Sequence, residues 1–119
     1  MVLVDTSVWV SHLRDGNSEL EKLLNVGDVA CHEFIIGELA CGNLKNRDTL
    51  LSLFNDLPLV ETVDFSEALL FIEKNKLTSK GLGFIDVHLL ASAVLNNVPL
   101  WTLDGKLKKA AFALGIGYK

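Results

Sequence analysis

The stretch Met1-Val2-Leu3-Val4-Asp5-Thr6-Ser7-Val8-Trp9-Val10 decides the reading of the fold. Met1–Val4 is apolar at every position, the pattern of a strand buried on both faces. It ends at Asp5-Thr6-Ser7, residue types that accept from the free N–H groups at a helix start. A buried strand running straight into a helix is the opening of an α/β unit. The rest of the chain repeats it. Asp28–Cys31, Leu59–Val63, Pro99–Thr102 and Gly115–Tyr118 read as further strands. Between them lie helical patterns. Ser18 and Glu21 have capping-box spacing ahead of Leu20, Leu23 and Leu24. Glu33–Cys41 reads as a helix stopped by Gly42-Asn43. Leu50, Leu53, Phe54 and Leu57 recur at i, i+3, i+4, i+7, and Pro58 ends that helix. Asp64 and Glu67 start another, and Leu107–Leu114 forms the last. Phe84–Leu95 is apolar on nearly every side, as a central buried helix must be. Lys76–Gly83, with Gly81 and Gly83, reads as a mobile loop. The expectation is a single α/β domain over residues 1–119, with a central parallel sheet of about five strands and helices on both faces.

Composition bounds the function. A chain of 119 residues forms one domain and needs no disulfide or metal staple to fold. Hydrophobic residues make up 50%, with nine glycines besides, which excludes a disordered tail. That share is more than a small monomer hides, so a dimer or protein partner is expected. No apolar run approaches the roughly 18 residues of a membrane span. The N-terminus has no basic segment and carries Asp5, so it is not read as a secretory signal. Cys31 and Cys41 form no CxxC pair and read as reduced thiols of a cytoplasmic protein. The net charge of −4 is unevenly spread. Residues 1–73 carry 4 basic and 13 acidic side chains, a balance of −9. Residues 74–119 carry 7 basic and 2 acidic, a balance of +5, and the two acids are Asp86 and Asp104. Two carboxylates in a basic segment are either paired and neutralised or hold a metal, with lysines nearby to meet a phosphate.

Parallel sheets place their sites beyond the carboxyl ends of the strands. Asp5 follows the first strand directly, and Asp104 lies two residues beyond Thr102. Glu38 stands in an apolar helix, where an ionised carboxylate needs a partner, a metal or an edge facing water. Asp86 lies near the start of the buried helix. Taken singly, Asp5 and Asp104 could be helix caps and Asp86 a complement to the helix dipole. Taken together, four carboxylates at one sheet edge repel, and a divalent cation relieves the repulsion. Hard oxygen donors without a His or Cys cluster suit Mg²⁺ or Mn²⁺. The hydroxyls of Thr6, Ser7 and Thr102 could orient the ligands.

Four segments stand out: VDTSVWV (Val4–Val10), FIIGELACGNL (Phe34–Leu44), GLGFIDVHLLASA (Gly81–Ala93) and LWTLDGKL (Leu100–Leu107). These segments resemble the PIN-domain nucleases, and within them the VapC toxins of toxin–antitoxin pairs. They span nearly the whole chain in the family's order. The resemblance implies a PIN-like three-layer fold. It implies a metal-dependent endoribonuclease with Asp5, Glu38, Asp86 and Asp104 around one or two Mg²⁺ or Mn²⁺ ions, leaving 5′-phosphate and 3′-hydroxyl ends. It also implies a homodimer, inhibited by a VapB-like antitoxin that inserts a peptide into the groove.

Other residues read as follows. His12, His32 and His88 are scattered, and their spacing to the cysteines fits no common zinc pattern. Trp9 reads as core or dimer interface and Trp101 as core. Lys106, Lys108 and Lys109 follow Asp104 on one helix, as a solvated face or as phosphate contacts. Lys74, Lys76 and Lys80 border the glycine-containing loop and read the same way, while Arg47 could face the groove or the antitoxin. A receiver-like signalling domain would need an acidic pair after the first strand and a Lys after the last. Asp5 stands alone and Lys119 is terminal. A catalytically silent PIN-like module that binds RNA or protein is the alternative, against which the four acids argue.

Overall fold

The computed structural model describes residues 1–119. In chain order the elements are β1 (Val2–Val4), α1 (Thr6–Asp15), α2 (Ser18–Asn25), β2 (Val29–Ala30), α3 (Glu33–Ala40) and α4 (Arg47–Asp56). They continue with α5 (Phe65–Lys74), α6 (Phe84–Asn96), β3 (Leu100–Trp101) and α7 (Gly105–Ala113). The sheet order is β2-β1-β3, parallel throughout, with Leu3 paired to Ala30 on one side and Leu100 on the other. β1 is the central strand, and Val2, Leu3 and Val4 are all buried, as their unbroken apolarity requires.

The sheet has three strands, not about five. Leu59–Val63 and Gly115–Tyr118 each touch it at one bridge, Cys31 to Leu59 and Leu100 to Gly117. The reason lies in their neighbours. The chain enters α3 right after His32, so β2 offers Leu59 no longer edge. The backbone of Glu61 turns instead to a side chain: its N–H donates to Asn96 Oδ1, and its carbonyl accepts from Asn96 Nδ2. On the other edge β3 ends at Trp101. There the Phe112 ring lies so close over Gly117 that a Cβ would stand 2.5 Å from it.

Most helix boundaries follow their expected signals. Asp64 and Glu67 form a reciprocal capping box on α5. α4 stops at Asp56, and Leu57 is extended before Pro58. α2 differs by one residue: Asn17, not Ser18, is the cap, and its Oδ1 accepts from Leu20 N–H. The positions 76–83 form a turn-rich connection with Lys76, Ser79 and Gly81 in the left-handed region.

One core unites these elements. α6 buries Val87 through Ala93 without a break and packs against α5 and β3. α3 packs against α1 and α4, and α7 against β3. Trp9 is a core residue, edge-on to Phe54 with ring centroids 4.9 Å apart. Trp101 is half-buried against Tyr118. Cys31 and Cys41 are free thiols, and burial raises Cys31 to about 11.

His32 is the cap of α3, a role its sequence position does not advertise. Its Nδ1 accepts from Phe34 N–H at 3.0 Å, so the ring proton sits on Nε2, 3.2 Å from Ser92 Oγ. The ring is fully buried, and burial, helped by the neighbouring His88, lowers its pKa to about 4. The unfolded chain takes up this proton near pH 6.5, while the folded chain does not until about pH 4. Stability therefore falls as pH drops through that window. Between pH 7 and pH 5 the expected loss is about 2 kcal/mol. Urea titrations at the two pH values read it, and His32→Asn should flatten that part of the profile.

Candidate active site

The carboxyl ends of β1 and β3 meet in a mesh of side chains. Asp5 follows β1 and caps α1. Its Oδ2 accepts from Ser7 Oγ at 2.8 Å and from Thr102 Oγ1 at 2.7 Å. Thr102 follows β3, and its hydroxyl in turn accepts from Asp104 N–H at 3.0 Å. Ser7 Oγ accepts from Leu103 N–H at 3.0 Å. Each hydroxyl both donates and accepts, so Ser7 and Thr102 fix Asp5 against the segment that carries Asp104. Thr102 is buried, and Asp5 is only 6% exposed. A carboxylate so enclosed is tolerable because these donors compensate it.

Asp104 caps α7, its Oδ1 accepting from Lys106 and Leu107 N–H. Asp86 lies in the first turn of α6, its Oδ2 accepting from Gly83 N–H at 3.0 Å. Three helix N-termini thus present one acid each. Burial, together with the charges of Asp5 and Asp104, holds the Asp86 carboxyl above the usual carboxylate range, and the Gly83 N–H offsets this only in part. Asp5, Asp86 and Asp104 therefore share one electrostatic site. Glu38 stands apart from these three on α3, where its Oε1 accepts from the Oγ1 of Thr6, the residue after Asp5, at 2.8 Å. It is solvent-facing, which removes the cost of a charge on an otherwise apolar helix.

In each of the four acids one oxygen is engaged by protein donors and the other has no protein donor. That donor set suits a hard divalent cation. No three of these side chains close into a cage around one point. Mg²⁺ does not require one, since it keeps several waters and is bound through one or two carboxylates plus substrate phosphates. The residues fit such an ion on the chemistry of their free oxygens.

The structure sorts the basic residues. Lys106 and Lys109 lie on one stripe of α7 with Ala110 and Ala113, and with Lys76 and Lys80 they line a cavity of about 490 Å³. Lys108 and Lys74 do not line it. The cavity joins residues about 30 positions apart in the chain, and the i, i+3, i+4, i+7 spacing of Lys106, Lys109, Ala110 and Ala113 is its only trace in the sequence. Arg47 donates to Gly42 O and stays by its own loop.

The PIN domain family profile matches residues 2–113. The chain belongs to the PIN domain family. This PIN domain is 40% identical over 117 residues to Ribonuclease VapC32 of Mycobacterium tuberculosis, in strain CDC 1551 / Oshkosh and in strain ATCC 25618 / H37Rv alike. The match spans 98% of this chain and 94% of each relative. Among solved structures it is similar to the crystal structure of PAE2754 from Pyrobaculum aerophilum, with a TM-score of 0.62 and 18% identity. That likeness covers 92% of this chain and 78% of the other, and it concerns the fold. No helix is long and apolar enough to cross a membrane.

Proposed function

We propose that this PIN domain is a metal-dependent endoribonuclease of VapC toxin type, acting in the cytoplasm and restrained by a VapB-like antitoxin. The observation that carries the reading is that Asp5 and Asp104, beyond the ends of β1 and β3, act electrostatically on Asp86 at the start of α6, whose carboxyl is raised by burial first and by those two charges after it. Near-full-length identity of 40% to proteins named Ribonuclease VapC32 supports RNA as substrate. Residues 1–119 work as one domain in a PIN-like three-layer arrangement, around a single contiguous core.

The free oxygens of Asp5, Asp86 and Asp104, with Glu38 at the rim, would hold Mg²⁺ or Mn²⁺. When bound, such an ion supplies charge to a phosphodiester oxygen and lowers the pKa of water. Ser7 and Thr102 hold Asp5 in one orientation, so the site does not reorganise as charge develops. Thr6 holds Glu38 in the same way. Lys106, two residues beyond Asp104, and Lys109 offer charge to the flanking phosphates. A homodimer is part of the reading, supported by apolar side chains left at the surface of α5, where Phe65 and Leu70 are about two-thirds exposed.

The test is cleavage of RNA by purified protein. Activity should require Mg²⁺ or Mn²⁺, vanish with EDTA and return when the ion is resupplied in excess. Cleavage that persists at full rate in EDTA would overturn the metal-dependent reading.

A further inference from the structure

The cavity between residues 75–80 and α7 has two unlike parts. Lys76, Lys80, Lys106 and Lys109 belong to its lining, and no acidic side chain lines it. None of the four lysines is salt-bridged; the ion pairs of this structure are Met1 with Asp28 and Arg14 with Asp15. Four unpaired like charges around a concavity repel one another and focus a positive potential into it, so an anion there is stabilised. The apolar residues of the lining are Leu77, Ala110, Ala113 and Leu114, which would serve as a floor. A volume of about 490 Å³ lies within the range of small-ligand sites, roughly 300–1,000 Å³. A lining of four lysines and four apolar side chains matches a nucleotide, with a flat base to bury and a phosphate to neutralise.

The cavity is held beside the acidic site. Lys106 is in the first turn of α7, which Asp104 caps. Its side chain lies along the backbone of Gly81, where a Cβ would stand 2.7 Å from Lys106 Cδ. Gly81 has a φ of +75° and precedes Gly83, which donates to Asp86. One connection thus borders the cavity and positions a carboxylate.

We propose that this cavity binds one unpaired nucleotide of the RNA strand next to the cleaved bond, its base on the Leu77–Ala110–Ala113 floor and its phosphate on the lysines. A base held in a duplex cannot turn into such a floor, so a duplex is the control for the cavity. The inference rests on the ribonuclease reading.

The test uses full-length protein bearing Asp86→Asn, so that bound RNA stays intact. Affinity for a single-stranded RNA oligonucleotide is read by fluorescence anisotropy at several salt concentrations. Lys109→Ala should weaken binding by about 3–10-fold and reduce the salt slope by about 0.7. Ala113→Phe fills the floor and leaves the charges, so it should weaken binding at least about 5-fold with the slope unchanged. Lys108→Ala, off the cavity, should change affinity less than about 2-fold. Both cavity positions are exposed, and melting temperatures check that the variants fold. In unaltered protein, 5′-AMP should shift the backbone amide signals of Leu77 and Ala110. Wild-type affinity in folded Ala113→Phe overturns the nucleotide pocket, as does equal competition by a duplex. If chelator-sensitive cleavage persists in that case, the ribonuclease reading survives. If the binding pattern holds but wild-type protein cleaves nothing, the pocket survives and the nuclease reading falls.

Discussion

Asp86→Asn should reduce RNA cleavage by at least about 10³-fold, a loss of about 4 kcal/mol in transition-state stabilisation, without unfolding the protein. Asn keeps an oxygen that can accept from Gly83 N–H, so the turn into α6 is preserved. It removes one of three carboxylates that share the site. The charge it removes is one the fold disfavours, through burial and through Asp5 and Asp104. The variant should therefore melt at the wild-type temperature or above it, when both are measured in EDTA. Activity lost while stability is kept or gained is the mark of a group retained for function at the expense of the fold. A wild-type cleavage rate in the variant would remove Asp86 from the reaction. A melting temperature lowered by about 10 °C would assign the lost activity to the fold instead.

Leu90→Ala should be among the costly core truncations. Leu90 is fully buried in the middle of α6, the helix that packs against α5 and β3. Truncation removes buried surface and leaves a cavity in a close-packed interior, for a cost of about 2–5 kcal/mol. That is a large part of the roughly 5–15 kcal/mol that a domain has in total. The melting temperature should fall by about 10–20 °C, and urea unfolding should show a lower midpoint with the same slope. A loss under about 1 kcal/mol would mean that the neighbours close over the gap. Since α6 also carries Asp86, partial activity at low temperature should vanish on warming earlier than in the wild type.

The placement of the candidate acids was legible because they obey a rule of position. Asp5 and Asp104 follow strands whose apolar runs are plain, and a parallel sheet brings the ends of those strands together. Asp86 was legible through the helix it starts, whose apolarity on all sides marks it as central. The sheet edges were not, because β-structure there depends on how much partner edge exists. Leu59–Val63 has the apolar character of a strand, yet β2 gives way to α3 after one bridge. The cap on α2 moved from Ser18 to Asn17 because either side chain can accept from the first turn, and one residue of register separates them. The basic cavity was least legible of all. Lys76 and Lys80 lie some 30 positions from Lys106 and Lys109, and only tertiary packing sets them around one space.

The central place of β1 has a consequence in time. β1 leaves the ribosome well before β3, one of its two neighbours. The bond from Thr102 to Asp5 spans 97 residues of chain. At about 5–20 residues per second, a ribosome takes roughly 5–20 s to cover that distance. Through that interval Asp5 has neither Thr102 nor Asp104 beside it, and parallel pairing at such separation is slow even once the chain is complete. A nascent chain therefore carries no assembled site near the ribosome that makes it. A fragment cut short of residue 100 lacks Thr102 and Asp104 and leaves the β3 edge of β1 unpaired. For a nuclease, the order of synthesis is a built-in delay between the first acid of the site and the last.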